Sequence, residues 1–148
     1  MLKTFGRLTM VAVVLAGVSS LAGAEDMSAQ RKAIYDDIQK TFGGVPSFVK
    51  TIPDAALAGY WQQEKDLELS DKTALSPKVK ALISLAVASQ IPCTYCIWAD
   101  TRTAKQAGAS DAEIGEAVAM AGLTRNSSTL FNGLQVDFEQ FKKEMGGQ

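Results

Sequence analysis

Ser76-Pro77-Lys78-Val79-Lys80-Ala81-Leu82-Ile83-Ser84-Leu85-Ala86-Val87-Ala88 decides how this chain folds. The Ser76 hydroxyl can accept a backbone N–H of a first helical turn. Pro77 has the fixed φ and missing N–H that suit the first helical position, so the pair marks a helix start. From Val79 to Ala88 apolar residues run nearly all the way round, and a helix without a polar face is a central, buried one. No stretch of the chain alternates convincingly with period two. The expected fold is therefore all-α, with about six helices.

C-terminal to this segment, Pro92 restarts the chain in Ile91-Pro92-Cys93-Thr94-Tyr95-Cys96-Ile97-Trp98-Ala99-Asp100. The spacing predicts a helix over Cys93 to about Ala107, closed by Gly108 just past its end. Ser110-Asp111-Ala112-Glu113 fits a capping box and introduces a helix over Ile114 to about Ala121. A last helix is expected from about Ser127 to Met145. Leu130, Phe131, Leu134, Phe138 and Phe141 form its apolar stripe, a core or subunit-interface feature, and Lys142-Lys143 favour its C-terminus. Arg125-Asn126-Ser127-Ser128 is read as an inter-helix segment that can cap this last helix.

On the N-terminal side, Ala33, Ile34, Ile38 and Phe42 recur at helical steps in a helix from Ser28 that Gly43-Gly44 ends. Val45 to Val49 is a connector able to carry a helical turn. Pro53 suits the first position of a helix to about Leu69 with Leu57, Tyr60, Trp61, Glu64 and Leu67 in register. Ser70 to Leu75 is loop.

Both cysteines of the chain sit in the Cys93-x-x-Cys96 spacing. Two such thiols can be bridged within one helical turn, and a thiolate near a helix N-terminus is stabilised by unsatisfied N–H groups and the macrodipole. That is a redox arrangement. An inert local disulfide is the first alternative, but closing so short a loop restrains the unfolded chain by only about 2 kcal/mol. Half of a metal site is the second, but structural zinc takes about four Cys or His ligands, and the chain has two Cys and no His. Neither a metal nor another cofactor is expected.

Met1 to Ala24 reads as a secretory signal: Lys3 and Arg7 precede the apolar run Leu8 to Val18, and Ala22-x-Ala24 places the cut before Glu25. The run is too short to span a bilayer, which takes about 20 residues. The reading predicts a single domain over 25–148, periplasmic or secreted, with no stable membrane insertion after cleavage. The 148 residues carry 15 Lys+Arg and 16 Asp+Glu, a net charge of −1. Losing Lys3 and Arg7 takes that to −3, and an acidic chain without a basic patch does not suit nucleic acid.

From about Ser76 to Ala121 the chain resembles the alkylhydroperoxidase D (AhpD)-like group of the carboxymuconolactone decarboxylase family. The resemblance is carried by Ser76-Pro77-Lys78-Val79-Lys80-Ala81-Leu82-Ile83, Cys93-Thr94-Tyr95-Cys96-Ile97, and Ala104-x-x-Ala107-Gly108-Ala109-Ser110-x-x-Glu113-Ile114. It implies an all-helical fold that oligomerises as trimers or hexamers, with the cysteines starting a helix packed on the buried one. It also implies a pair cycling between dithiol and disulfide, with a thiol or disulfide protein partner or a small hydroperoxide as reactant. Redox-active members of the group carry a Glu about twelve residues before the first Cys and a His four after the second. Here those places hold Ala81 and Asp100.

An imidazole near neutrality can take a thiol proton, whereas an ionised Asp100 beside Cys96 raises the thiol pKa by like-charge repulsion. Asp100 can act as a base only if burial raises its own pKa. Its alternative is a solvated surface acid, paired with Arg102 or Lys105. Tyr95 and Trp98 flank the thiols as packing residues or as pocket walls. Lys80 either offers its charge to a thiolate or reaches to the surface. Helix-end electrostatics favour Cys93 as the more acidic thiol, while the resemblance points to Cys96 as the one facing peroxide. The expected activity is exported thiol–disulfide exchange through Cys93 and Cys96, with Asp100 as the candidate base. Alternatives are an antioxidant peroxidase and a non-catalytic assembly protein with an inert bridge.

Overall fold

The computed structural model describes residues 14–146, with side chains from Met27 onward. The order is α1 (Val14–Phe42), a 3-10 turn (Ser47–Thr51), α2 (Asp54–Gln63), a π-helical turn (Glu64–Glu68), α3 (Pro77–Gln90), α4 (Thr94–Gln106), α5 (Asp111–Gly133) and α6 (Phe138–Glu144). The described residues are all-helical, with six α-helices as expected and no strand among them. They form two compact units that divide after Leu67. The signal reading lies mainly outside the described residues. Within them α1 begins at Val14 and not at Ser28, since the Ala- and Leu-containing run ahead of Ser28 is itself a good helix former. Among the described residues no helix is long and apolar enough to cross a membrane.

In the first unit the core is Ile38, Val49, Leu57 and Trp61, with Ile34, Tyr35, Val45 and Ile52 against it. Gly43 ends α1 at φ +76°, its N–H donating to the Gln39 carbonyl at 2.9 Å. Trp61 Nε1 donates to Asp37 Oδ2 at 2.8 Å, and Lys65 Nζ reaches the same oxygen at 2.8 Å. Lys65 first, and Trp61 second, hold the Asp37 carboxyl below its ordinary range. Pro53 is the N-cap of α2 and not its first helical residue. The expected helix to Leu69 stops at Gln63, where the π-helical turn alters the residue-per-turn count. Leu67 leaves the buried register and is exposed.

In the second unit α3 packs against α4 and α5. Ser76 caps α3 as expected, its Oγ accepting the Val79 N–H at 3.3 Å. Only Lys80, Ala81, Leu85 and Ala88 of α3 are buried, so the expectation of a helix buried all round is corrected. Val79, Ile83 and Val87 lie 39–55% exposed, an apolar face that the described chain leaves uncovered.

Gly108, at φ +84°, closes α4 with two bonds, Gly108 N–H to Lys105 O at 3.0 Å and Ala109 N–H to Ala104 O at 2.9 Å. That pairing satisfies carbonyls the helix end would otherwise orphan. The capping box at Ser110 is complete: Ser110 N–H donates to Glu113 Oε2 at 2.7 Å, and Glu113 N–H to Ser110 Oγ at 3.1 Å. Lys78 Nζ reaches the other oxygen of Glu113 at 2.8 Å. Led by Lys78 and then by the Ser110 N–H, these bonds pull the Glu113 pKa down to about 2.

The expected break between two C-terminal helices is absent, and Arg125 to Ser128 lie inside α5. Polar side chains there return their bonds to the helix, with Thr124 and Thr129 Oγ1 each donating to the carbonyl four residues back at 3.0 Å. Arg125 Nε donates to Gln90 Oε1 at 2.7 Å, and its Nη2 to the Gln90 carbonyl at 3.3 Å. Arg125 thus serves the C-terminal end of α3 and caps no later helix. The real break comes at Leu134 to Asp137, with Gln135 at φ +54° and Asp137 capping α6 through the Gln140 N–H at 2.7 Å. The aromatic stripe is no core of the described chain. Leu130, Phe131, Leu134 and Phe138 are 45–74% exposed, and Phe131 meets Phe141 at 5.6 Å between ring centroids.

Candidate redox site at the start of α4

Ile91 and Pro92 make the turn between α3 and α4, and the Cys93 N–H bonds back to the Ala88 carbonyl at 3.0 Å. Cys93 is the N-cap of α4, one step outside the helix in which the sequence places it. Its Sγ accepts the Cys96 N–H at 3.2 Å, a sulfur standing where an N-cap oxygen usually stands. Cys93 and Cys96 are joined as a disulfide with their Cα atoms 5.3 Å apart. Both residues are half-buried.

One turn further, Asp100 is 9% exposed, and Ala104 another turn along is fully buried. The i, i+4 spacing puts Cys96, Asp100 and Ala104 on one face of α4. Asp100 accepts no hydrogen bond among the described residues. Burial first, and the Glu68 carboxylate second, push its pKa up from the ordinary value. The surface-acid alternative is corrected, as are its two proposed partners. Lys105 pairs with Asp111 at 2.9 Å, and the Arg102 guanidinium lies over the Trp98 ring, 5.6 Å from its centroid.

Lys80 takes neither course open to it in the sequence. It is 8% exposed, and its Nζ donates to the Ser70 carbonyl at 2.6 Å and the Glu68 carbonyl at 3.4 Å. Ala81 is buried beside it. Tyr95 and Trp98 are 89% and 65% exposed, so they do not pack in this chain's core. Trp98 lines a shallow groove of about 580 Å³ with Thr94, Ile97, Thr101 and Arg102. At 100° per residue that groove occupies the side of α4 away from Cys96 and Asp100. Glu68 lies in the π-helical turn and carries no spacing relation to the cysteines, so nothing in the sequence signals that its charge bears on Asp100.

A helical fold with a bridged Cys-x-x-Cys capping one helix of a tight helix pair defines the class of protein. The carboxymuconolactone decarboxylase family model matches residues 55–137, and the chain belongs to this family as an AhpD-like member. The fold is similar to the crystal structure of the alkylhydroperoxidase AhpD core from Rhodospirillum rubrum. The TM-score is 0.65 at 28% identity, over 92% of this chain and 98% of that one. No curated protein matches the sequence.

Proposed function

We propose that this chain is an exported thiol–disulfide oxidoreductase in which Cys93 and Cys96 cycle between dithiol and disulfide. The observation that carries the reading is Cys93 capping α4, its sulfur already accepting the Cys96 N–H at 3.2 Å. A negative sulfur gains more from that donor and from the helix N-terminus than a neutral one, so Cys93 is the lower-pKa thiol and the attacking one. In the reduced protein the Cys93 thiolate attacks a partner disulfide and expels one thiolate, leaving a mixed disulfide. Asp100 takes the Cys96 proton, Cys96 attacks Cys93 Sγ, and the second partner thiolate leaves. Two electrons have passed to the partner and the Cys93–Cys96 bridge is restored.

The likeness to an alkylhydroperoxidase core supports a second reading, reduction of small hydroperoxides. There a cysteine thiolate takes the distal peroxide oxygen as a sulfenic acid, releasing an alcohol, and the other cysteine closes the bridge with loss of water. Equilibration in thiol/disulfide buffers tests the first reading. A reversible two-electron couple above about −300 mV is expected, and a bridge more stable than that belongs to the structural range and refutes exchange. Hydroperoxide consumption that vanishes in Cys96→Ser supports the second reading. Biological activity intact in the Cys93→Ser/Cys96→Ser double variant would instead mark a non-catalytic assembly role.

Export rests on the Met1–Ala24 pattern, with the periplasm or the exterior as destination. Assembly into trimers or hexamers is supported by the apolar faces left open on α3, by Val79, Ile83 and Val87, and around the break between α5 and α6, by Leu130, Leu134 and Phe138.

A further inference from the structure

The bridge ties Cys93 to Cys96 in the oxidised chain, but exchange also needs Cys93 held in place once the bridge is open. α3 ends at Gln90 and α4 begins at Thr94, so the placement of Cys93 depends on the Ile91–Pro92 turn between them. The last four carbonyls of a helix have no partner within it, and Pro92 has no N–H to offer one. The Ile91 N–H serves the Val87 carbonyl at 3.2 Å, and the Cys93 N–H reaches back past Pro92 to the Ala88 carbonyl at 3.0 Å. The Gln90 carbonyl is served from another helix. Arg125 of α5, which packs against α3, lays one edge of its guanidinium on Gln90. Its Nε donates to Gln90 Oε1 at 2.7 Å and its Nη2 to the Gln90 carbonyl at 3.3 Å. A planar fork with both prongs engaged sets direction as well as distance, which a single donor does not.

Resting on the exchange reading above, we infer that Arg125 is a positioning residue of the redox site: by forking onto Gln90 it holds the Ile91–Pro92 turn and keeps Cys93 at the head of α4 when the bridge is open. In the disulfide the S–S bond itself restrains Cys93 against Cys96, and the fork adds little. In the dithiol that restraint falls to the turn and to the Cys93 N–H bond with Ala88. Holding the two sulfurs in each other's reach removes part of the entropy that closure would otherwise cost. The fork therefore favours the bridge and speeds its closure. Arg125 acts through Gln90 and the turn, and takes no part in the sulfur chemistry. Its role also accounts for an arginine at the head of the polar run Arg125-Asn126-Ser127-Ser128, inside a helix that the run does not break.

The test uses the reduced full chain and excess 4,4′-dithiodipyridine. The Cys93 thiolate attacks the reagent's disulfide and releases one thiopyridone, leaving a mixed disulfide. Cys96, giving up its proton, then attacks Cys93 Sγ, and the second thiopyridone leaves as the bridge forms, in a step independent of reagent concentration. Equilibration with glutathione gives the stability of the same bridge. Arg125→Met, a change at an exposed position, should slow closure about fivefold and move the equilibrium about fivefold towards the dithiol. Gln90→Met keeps the carbonyl and loses Oε1, so it should shift both readings the same way by less. The double variant should be no worse than Arg125→Met alone, because both changes break one contact. Arg125→Lys should fall with Arg125→Met, since one ammonium does not reproduce the fork. Unchanged closure and equilibrium in Arg125→Met overturn the inference even if the melting temperature drops, for Arg125 would then stabilise the fold alone. Shifts that simply add in the double variant overturn the route through Gln90, and wild-type behaviour in Arg125→Lys overturns the fork in favour of charge. A wild-type chain with no concentration-independent second release refutes the exchange reading itself, and this inference with it.

Discussion

Reducing the Cys93–Cys96 bridge should cost little stability, and the cost can be worked from the loop it closes. Four residues lie in that loop, counting both cysteines. The chain-entropy relation then gives about 2 kcal/mol at 25 °C. Cys93 also caps α4, so its variants separate the cap from the bridge. Cys93→Ser loses the bridge but offers a hydroxyl to the Cys96 N–H, and should match the reduced wild type, about 2 kcal/mol below the oxidised protein. Cys93→Ala loses both, and the missing cap adds about 1 kcal/mol. Urea unfolding followed by far-UV circular dichroism, with and without reductant, reads all three differences as midpoint shifts at constant slope. Should the reduced wild type lose more than about 4 kcal/mol, or fail to fold, the bridge is a staple. The premise that the site can open and close on a standing scaffold would then be wrong.

Glu113→Gln keeps a side chain able to close the capping box but removes the ion pair to Lys78. The Glu113 pKa is lowered to about 2 in the folded chain, so its contribution is complete above the ordinary value near 4.5 and is lost as pH falls towards 2. Urea midpoints should therefore put the variant below wild type at pH 6.5 and level with it near pH 2, and a difference that persists at pH 2 contradicts this. Asp100 has the opposite sign: its raised pKa means that ionisation above the ordinary carboxyl range costs the folded state stability. Asp100→Asn should be more stable than wild type at pH 7 and no different at pH 3, and a destabilised variant at pH 7 would show that the carboxylate is compensated. Ile83→Glu, on the open face of α3, should fold and sediment as a smaller species than the wild type. Burying the exposed half of one such side chain is worth about 1 kcal/mol per protomer, and an unchanged sedimentation coefficient removes this face from the assembly interface.

Helix boundaries were legible where a cap marks them, because caps are local chemistry. Ser76-Pro77, the Ser110/Glu113 box and the left-handed glycines Gly43 and Gly108 each act within a turn of the backbone they serve. What failed depended on distance or on dihedral choices that leave no residue signature. α5 runs to Gly133, and the left-handed residue just past its cap is Gln135 at φ +54°, a position where glycine would have announced the stop. The polar run over Arg125 to Ser128 looked like a break, yet it contains neither Gly nor Pro. Arg125 is also held from outside the helix by Gln90 of α3. The apolar run of α3 predicted burial all round, but only Lys80, Ala81, Leu85 and Ala88 are buried. Residue type alone does not say which sides of a helix receive a neighbour, and α4 and α5 leave Val79, Ile83 and Val87 open.

The same division runs through the site. Cys93, Cys96 and Asp100 lie within eight residues, so one helix and its spacing suffice to gather them. The burial of Asp100 comes from the packing of α3 and α5 around α4, which no spacing within one helix reveals. Lys80 and Asp100 are the buried charged residues among those described, and their circumstances differ. An ammonium gripped by two carbonyls is a satisfied group, and its burial needs no functional reason. A buried carboxyl group that accepts no hydrogen bond among the described residues is less well compensated when ionised. Packing alone would favour an apolar residue there, next to the fully buried Ala104. A titratable group kept there, one turn from Cys96, is what the proposed proton transfer to and from the thiol requires, and the fold itself does not require it.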